Sequence, residues 1–183
     1  WCDALSGELP VLELQTDYPR PAVFTSNGAN VPVSVDASTT TALANVCREC
    51  SVTMMRGVLA MWAVLLGKHS GQEEVVVGVP YANRDHPAVQ EVVGYFVNTL
   101  AVRVGGGASS LCYRELVMQA NESVSKAVMH AVVPFVRVVE EVLPERDASR
   151  TPVFQTMFVY EEAGGWGGLS TLPRVRYAPV RPH

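Results

Sequence analysis

Residues 70–103 read SGQEEVVVGVPYANRDHPAVQEVVGYFVNTLAVR, and this stretch decides the fold. Ser70-Gly71-Gln72 is a helix-stop signal. Val75 to Val79 follows as a short β-branched run, the pattern of a buried strand. Residues 81–90 are polar and contain Pro87, which predicts a loop. Val92 to Val104 predicts a second strand region with Phe96 and Val97 inside it, broken by Gly105-Gly106-Gly107. Two strands with helical sequence on both sides indicate a mixed α/β layer.

Upstream, Ser51 to Lys68 predicts a helix with almost no polar face, carrying Val52, Met55, Leu59, Trp62, Val64 and Leu66, and hence one buried on most sides. Ser38 to Glu49 predicts another, opened by a Ser and Thr run that can cap it. Residues 1–33 contain Pro10, Pro19, Pro21 and Pro32 and read as an extended entry segment.

Downstream, Ser109 or Ser110 is placed to cap a helix reaching about Val128. Leu116, Ala120, Val124 and Ala127 recur there at helical spacing, with Glu122 and Lys126 as a surface pair. Pro134 suits the first position of a short helix whose apolar face is Phe135, Val138, Val139 and Val142. Thr151 to Tyr160 reads as a last strand, and a Gly- and Pro-rich tail follows. The expected division is an entry segment over 1–35, a body over 36–160 and an irregular tail over 161–183.

Composition narrows the function. With 183 residues, 48% apolar and 17% charged, the chain can bury one core. Its net charge of -4 and lack of a basic face argue against nucleic acid. The most hydrophobic stretch, Gly57 to Gly67, falls short of the ~20 apolar residues that span a bilayer, and no leader-like pattern precedes it. The expectation is a cytoplasmic piece of a longer protein. No Gly-rich strand-to-helix turn suits a dinucleotide, and there is no phosphate loop. Cys47 and Cys50 form a lone Cys-x-x-Cys without a second half at zinc spacing. A redox pair usually opens a helix after a strand, whereas this pair sits near a helix end. It is read as two small residues one turn apart. Neither a metal nor a directly bound cofactor is expected.

Five phrases, taken together, carry a resemblance. They are Leu9–Pro21 (LPVLELQTDYPRP), Ser70–Asp85 (SGQEEVVVGVPYANRD), Val93–Arg103 (VGYFVNTLAVR), His130–Phe135 (HAVVPF) and Glu145–Phe154 (ERDASRTPVF). In order and spacing they resemble the later motifs of non-ribosomal peptide synthetase condensation domains. The resemblance implies the C-terminal half of a pair of chloramphenicol-acetyltransferase-like halves, a mixed sheet flanked by helices. It also implies amide formation between an acyl or peptidyl thioester and an amino acid, both delivered on phosphopantetheine arms of carrier domains through a tunnel between the halves. The implied partners are the N-terminal half, those carrier domains and an adjoining adenylation domain.

The family signature His-His-x-x-x-Asp-Gly does not occur in these residues, whose histidines are His69, His86, His130 and His183. No catalytic residue is therefore expected in this chain. The resemblance gives Arg84 the role of pairing with the signature Asp across the halves. The alternative is a solvated loop arginine, and either way Arg84 is expected to be exposed or paired with a local acid such as Asp85. Gly94, Tyr95, Asn98 and Thr99 become candidates for the tunnel wall, with a satisfied strand-end amide as the plainer reading of Asn98. His130, Pro134 and Phe135 resemble parts of a His-Gln-Asp-x-Pro-Phe-Glu motif in which Ala131, Val132 and Val136 replace the polar residues. His130 is read as a helix-end histidine and not as a base. Arg146, Asp147 and Arg150 are read as structural, locking the loop before the last strand. Ser149 lacks a His or acid placed to activate it, and Glu140 with Glu141 reads as a solvated face. Two other readings stay open: a non-catalytic remnant that docks a partner, and another member of the superfamily such as an epimerisation domain or free-standing acyltransferase.

Overall fold

A computed structural model describes residues 1–23, 25, 27–105, 111–143 and 147–161. Helix α1, Ala37–Glu49, begins at Asp36, whose Oδ1 accepts the Thr39 N–H at 2.8 Å. The cap is thus the carboxylate before the Ser and Thr run, not one of its hydroxyls. Leu43 and Cys47, one turn apart, form the buried face. Helix α2, Met54–Ser70, ends where Gly71 takes the left-handed conformation at φ 70°, as its stop signal predicts. Leu59 and Ala60 are fully buried, but Met61 and Leu65 are 41% and 46% exposed. The helix therefore buries one face, and the expectation of burial on most sides is corrected.

Strands β1 (Glu74–Tyr81) and β2 (Asn98–Gly105) pair antiparallel, with Val77 opposite Val102 and Gly78 opposite Ala101. Side chains alternate across the pleat. Val75, Val77 and Val79 with Leu100, Val102 and Val104 meet α2 and helix α4, Tyr113–Met129, in the larger core. Val76 and Ala101 face the other way and meet Leu5, Val153, Phe154 and helix α5, Phe135–Val142, in a second core. Each fully buried Leu or Val contributes about 1.5–3 kcal/mol, so a sheet covered on both faces is held far more firmly than an open hairpin.

Four expectations change. Residues 92–97 are not strand: β2 starts at Asn98, and a short helix α3, Pro87–Gln90, lies inside the expected loop. The stretch 151–160 forms a single parallel bridge, Gly78 with Met157, instead of a strand. Pro152 and the left-handed Val153, at φ 70°, interrupt the extended backbone before it. Gly78 is needed there because a β-carbon would come 2.4 Å from the Phe154 ring. Helix α4 is preceded by Cys112, whose N–H donates to Glu115 Oε2 at 2.8 Å; Ser109 and Ser110 lie outside the described residues.

The entry segment is pinned by side chains. Leu12 N–H donates to Gln155 Oε1 at 2.7 Å, and Gln72 Nε2 donates to the Val11 carbonyl at 2.9 Å. Among the described residues no single helix is long and apolar enough to cross a membrane. Helices α1 and α2 suffice only as a pair, and they meet at a bend of 111°.

Candidate functional site

Asn98 opens β2 and is the hub of the site. Its Nδ2 donates to the carbonyls of Ala131 and Val133 at 2.7 and 2.8 Å. Its Oδ1 accepts from the N–H groups of Thr99 and Phe135 at 2.9 and 3.0 Å. An asparagine amide has two donor hydrogens and two acceptor lone pairs, so the capacity of this half-buried group is filled. Two phrases far apart in sequence, GYFVNT and HAVVPF, are thereby stitched into one surface. The plainer reading of Asn98, a satisfied strand-end amide, describes its bonding, and that bonding is what shapes the turn before α5. Thr99 is half-buried beside it.

Arg84 organises the approach to this hub. It is half-buried, and its guanidinium donates to the carbonyls of Val89, Val92 and Gly94 at 2.6, 2.8 and 2.9 Å. It also lies 4.4 Å from the centre of the Phe96 ring, a cation–π distance. Among the described residues no carboxylate pairs with it. Asp85 is instead taken by the Tyr81 hydroxyl at 2.5 Å, and that bond pushes the Tyr81 pKa up. The expectation that Arg84 is exposed or paired with Asp85 is corrected: carbonyl dipoles and an aromatic face replace the acid. Their convergence needs the turn made by α3, which the sequence pattern did not show. Gly94 contributes its carbonyl here, while the Tyr95 side chain stands 89% exposed.

His130 ends α4 with an exposed side chain. Its carbonyl accepts the Trp1 indole N–H at 3.0 Å, and it borders a cavity of about 610 Å³ with Trp1, Glu74, Arg103 and Lys126. Pro134 is exposed and precedes α5 as its cap, one position earlier than expected. Phe135 turns inward to Phe154, ring centres 5.2 Å apart. Asp147 and Arg150 lie elsewhere, beside a separate cavity of about 360 Å³ bordered by the entry segment. Arg150 Nε is 3.0 Å from Asp147 Oδ2. The contact is an ion pair without a hydrogen bond, since the buried Nε–H has no acceptor along its direction. Hydrogen bonds from Ser149 hold the Asp147 carboxyl below its usual range. Arg146 lies outside the described residues.

Gln72, Gln155 and Trp1 are contacts that sequence reading missed. Amides and an indole carry no spacing signal, and their partners are backbone groups far along the chain. Among the described residues no His, Cys, Asp or Glu cluster is arranged to hold a metal. Among the described residues the site offers an apolar wall, satisfied amides and, in Arg84, a guanidinium paired with no acid, and it brings no acid–base pair together.

Known proteins match this arrangement. Residues 1–170 match the family model described as Condensation domain. Tyrocidine synthase 3 of Brevibacillus parabrevis is 39% identical over 183 residues, covering 100% of this chain and 3% of the relative. The chain thus spans a small fraction of that curated relative's length. A holo four-domain nonribosomal peptide synthetase bound to AMP and glycine superposes with TM-score 0.81 at 30% identity, over 94% of this chain and 13% of that one. The X-domain in its complex with OxyB, from teicoplanin biosynthesis, superposes with TM-score 0.78 at 26% identity, over 86% of this chain and 34% of that one. The α/β fold is therefore the chloramphenicol-acetyltransferase-like fold of those neighbours, and this chain belongs to the condensation domain family.

Proposed function

We propose that this chain forms one wall of a cleft in which an acyl or peptidyl thioester is joined to an amine, both presented on phosphopantetheine arms of carrier domains. The observation that supports this most is the surface stitched by Asn98. Around it Tyr95, Val97, Val132 and Val136 stand 89%, 41%, 83% and 63% exposed. Single exposed apolar residues are ordinary, but a run of them around a rigid polar hub suits a surface with a partner. A dry wall excludes water from a thioester and holds two reactants close, which is where much of the catalytic advantage of such a cleft lies. The proton-handling group then comes from a His-His-x-x-x-Asp-Gly segment outside these residues, and Arg84 braces it across the cleft. Gly94, Thr99, His130, Pro134 and Phe135 shape the wall, while Asp147, Arg150 and Arg146 lock the loop behind it. An adjoining adenylation domain and a cytoplasmic setting complete the reading. Residues 1–35 serve as the entry segment and 36–160 as the body of the half, with 161–183 as its tail.

The test is reconstitution. This chain is mixed with a chain carrying the signature half and with loaded donor and acceptor carriers, and amide product is followed by mass spectrometry. Product is expected only when both chains are present. Turnover by this chain and the carriers alone overturns the reading.

A second reading is a docking module without catalysis. It is favoured by Ala131, Val132 and Val136 standing where the family motif has polar residues, and by the likeness to a domain solved in complex with OxyB. The coding sequence upstream of Trp1 separates the two. An in-frame His-His-x-x-x-Asp-Gly supports the enzyme, and its absence supports docking.

A further inference from the structure

The Cys-x-x-Cys of α1 is not used by the proposed reaction, and its surroundings are unlike those of two filler residues. Cys47 is 3% exposed, and its sulfur sits against α2: a β-carbon on Gly57 would lie 2.3 Å from it. Cys50, one turn on, is half-buried at the end of the helix. Its N–H donates to the Val46 carbonyl at 3.0 Å, so helical spacing continues through it. That spacing puts the two α-carbons ~5 Å apart, inside the roughly 4.4–6.8 Å that a disulfide spans. From α4, Arg114 Nη1 lies 3.7 Å from the Cys50 sulfur as a donor, while its Nη2 bonds Glu49 at 2.5 Å. The sulfur that solvent can reach is thus held by a side chain from another helix, with its one-turn neighbour sealed behind it. Tyr113, whose hydroxyl donates to the Gly57 carbonyl at 2.8 Å, completes the cluster. Burial, with the two thiols beside it, pushes that hydroxyl up to about 12. Among the described residues no further ligand joins the thiols in a metal-binding group.

We propose that Cys47 and Cys50 are a redox-responsive dithiol that glutathione disulfide closes into an intrahelical disulfide, Cys50 reacting first and Cys47 resolving. The inference is independent of the proposed function. In the first step the Cys50 thiolate, its proton released to solvent, attacks one sulfur of glutathione disulfide. A mixed disulfide forms, the glutathione S–S bond breaks, and one glutathione leaves as thiolate and takes up a proton. In the second step Cys47 gives up its proton and its sulfur attacks the Cys50 sulfur, expelling the other glutathione. The protein loses two hydrogens and is oxidised; glutathione disulfide is reduced to two thiols. Burial pushes the Cys47 thiol up, in keeping with its acting second. Closure turns the Cys47 sulfur out of its seat on Gly57, so oxidation loosens α1 from α2.

The test uses the whole chain in buffers of defined reduced to oxidised glutathione ratio, trapped by alkylation and read by intact mass and peptide mapping. The expected result is a mass lower by two hydrogens, with the disulfide mapped to Cys47 and Cys50. Cys50→Ser is expected to leave Cys47 unmodified. Cys47→Ser is expected to accumulate one glutathione on Cys50. Should that buried variant not fold, the wild-type map and Cys50→Ser decide alone. A disulfide mapped to Cys2 or Cys112 overturns the proposal, as does a lasting glutathione adduct on wild-type Cys50 or failure of the pair to oxidise.

Discussion

Phe135 donates its backbone N–H to Asn98 Oδ1 at 3.0 Å across 37 residues of chain, and Asn98 returns two N–H bonds to the carbonyls of Ala131 and Val133. The turn leading into α5 is therefore shaped by a side chain on β2 as well as by its own bond from the Val133 N–H to the His130 carbonyl. Asn98→Leu should lower stability by about 1–3 kcal/mol, since it removes the partner of the Thr99 and Phe135 N–H groups and of the Ala131 and Val133 carbonyls. Asn98→Asp should cost at least as much, because an acceptor would then face two carbonyls. Urea unfolding checks both, with a shifted midpoint and unchanged slope as the expected signature. A shift below about 0.5 kcal/mol, the range of ordinary surface changes, would contradict it.

Arg84 presents a planar fork to several carbonyls, which a lysine cannot copy. Arg84→Lys is expected to loosen the loop over 85–96 nearly as much as Arg84→Ala. Amide exchange at Val89 and Val92, whose N–H groups bond within the loop, should speed up several-fold in both variants. Asp85→Asn should leave these amides unchanged, because Asp85 serves Tyr81. Faster exchange in the Asp85 variant and none in the Arg84 variants would reverse the assignment.

Gly78→Ala places a methyl group into the Phe154 ring, where the nearest ring atom would be 2.4 Å away. Overpacking of this kind costs about 1–3 kcal/mol. Pairing it with Phe154→Leu should recover part of that loss. The two changes share one space, so their effects should fall short of additivity. Strict additivity in thermal unfolding would show that the ring moves freely aside.

The cap of α1 should show in the acid limb of stability. The Ser38 hydroxyl first, then the Thr39 N–H and hydroxyl, hold the Asp36 carboxyl down from 3.8 to about 2. A pKa lower in the folded than in the unfolded state stabilises the fold above the unfolded value and loses that contribution as pH falls through the folded one. Asp36→Asn keeps a capping oxygen but does not titrate. Wild type should therefore be the more stable at pH 5, and the two should converge as pH approaches about 2. Circular dichroism melts across that range measure the difference, and parallel curves would refute it.

The sequence disclosed what local pattern controls. Helical spacing of Leu116, Ala120, Val124 and Ala127 gave α4, and the Val75–Val79 run gave β1, because each is settled by which side chains must leave water. The end of α2 was legible in Gly71. The stretch 92–97 was not: its apolar residues read as strand, yet Arg84 draws the backbone carbonyls of that loop to itself, so they are not free for a ladder. The stretch 151–160 failed for a related reason, since the positive φ of Val153 and the Phe154 ring over Gly78 answer to tertiary packing. At the site, the motif phrases marked Asn98 and Arg84 as positions of interest. Their partners are nearly all main-chain atoms, which leave no trace in residue identity. Asp147 and Arg150, expected from the sequence to lock their loop, lie three positions apart and form an ion pair.

The second core draws Leu5 from the beginning of the chain and Phe154 from near the end of what is described, with Val76 and Ala101 of the sheet between them. During synthesis, then, one side of the hairpin is fully covered only when α5 and residue 154 have left the ribosome, after the opposite side can close with α2 and α4. A nascent chain halted between Gly105 and Pro134 would leave Val76 and Ala101 without α5 and Phe154 over them. That interval is when the molecule most needs a chaperone or a neighbouring domain.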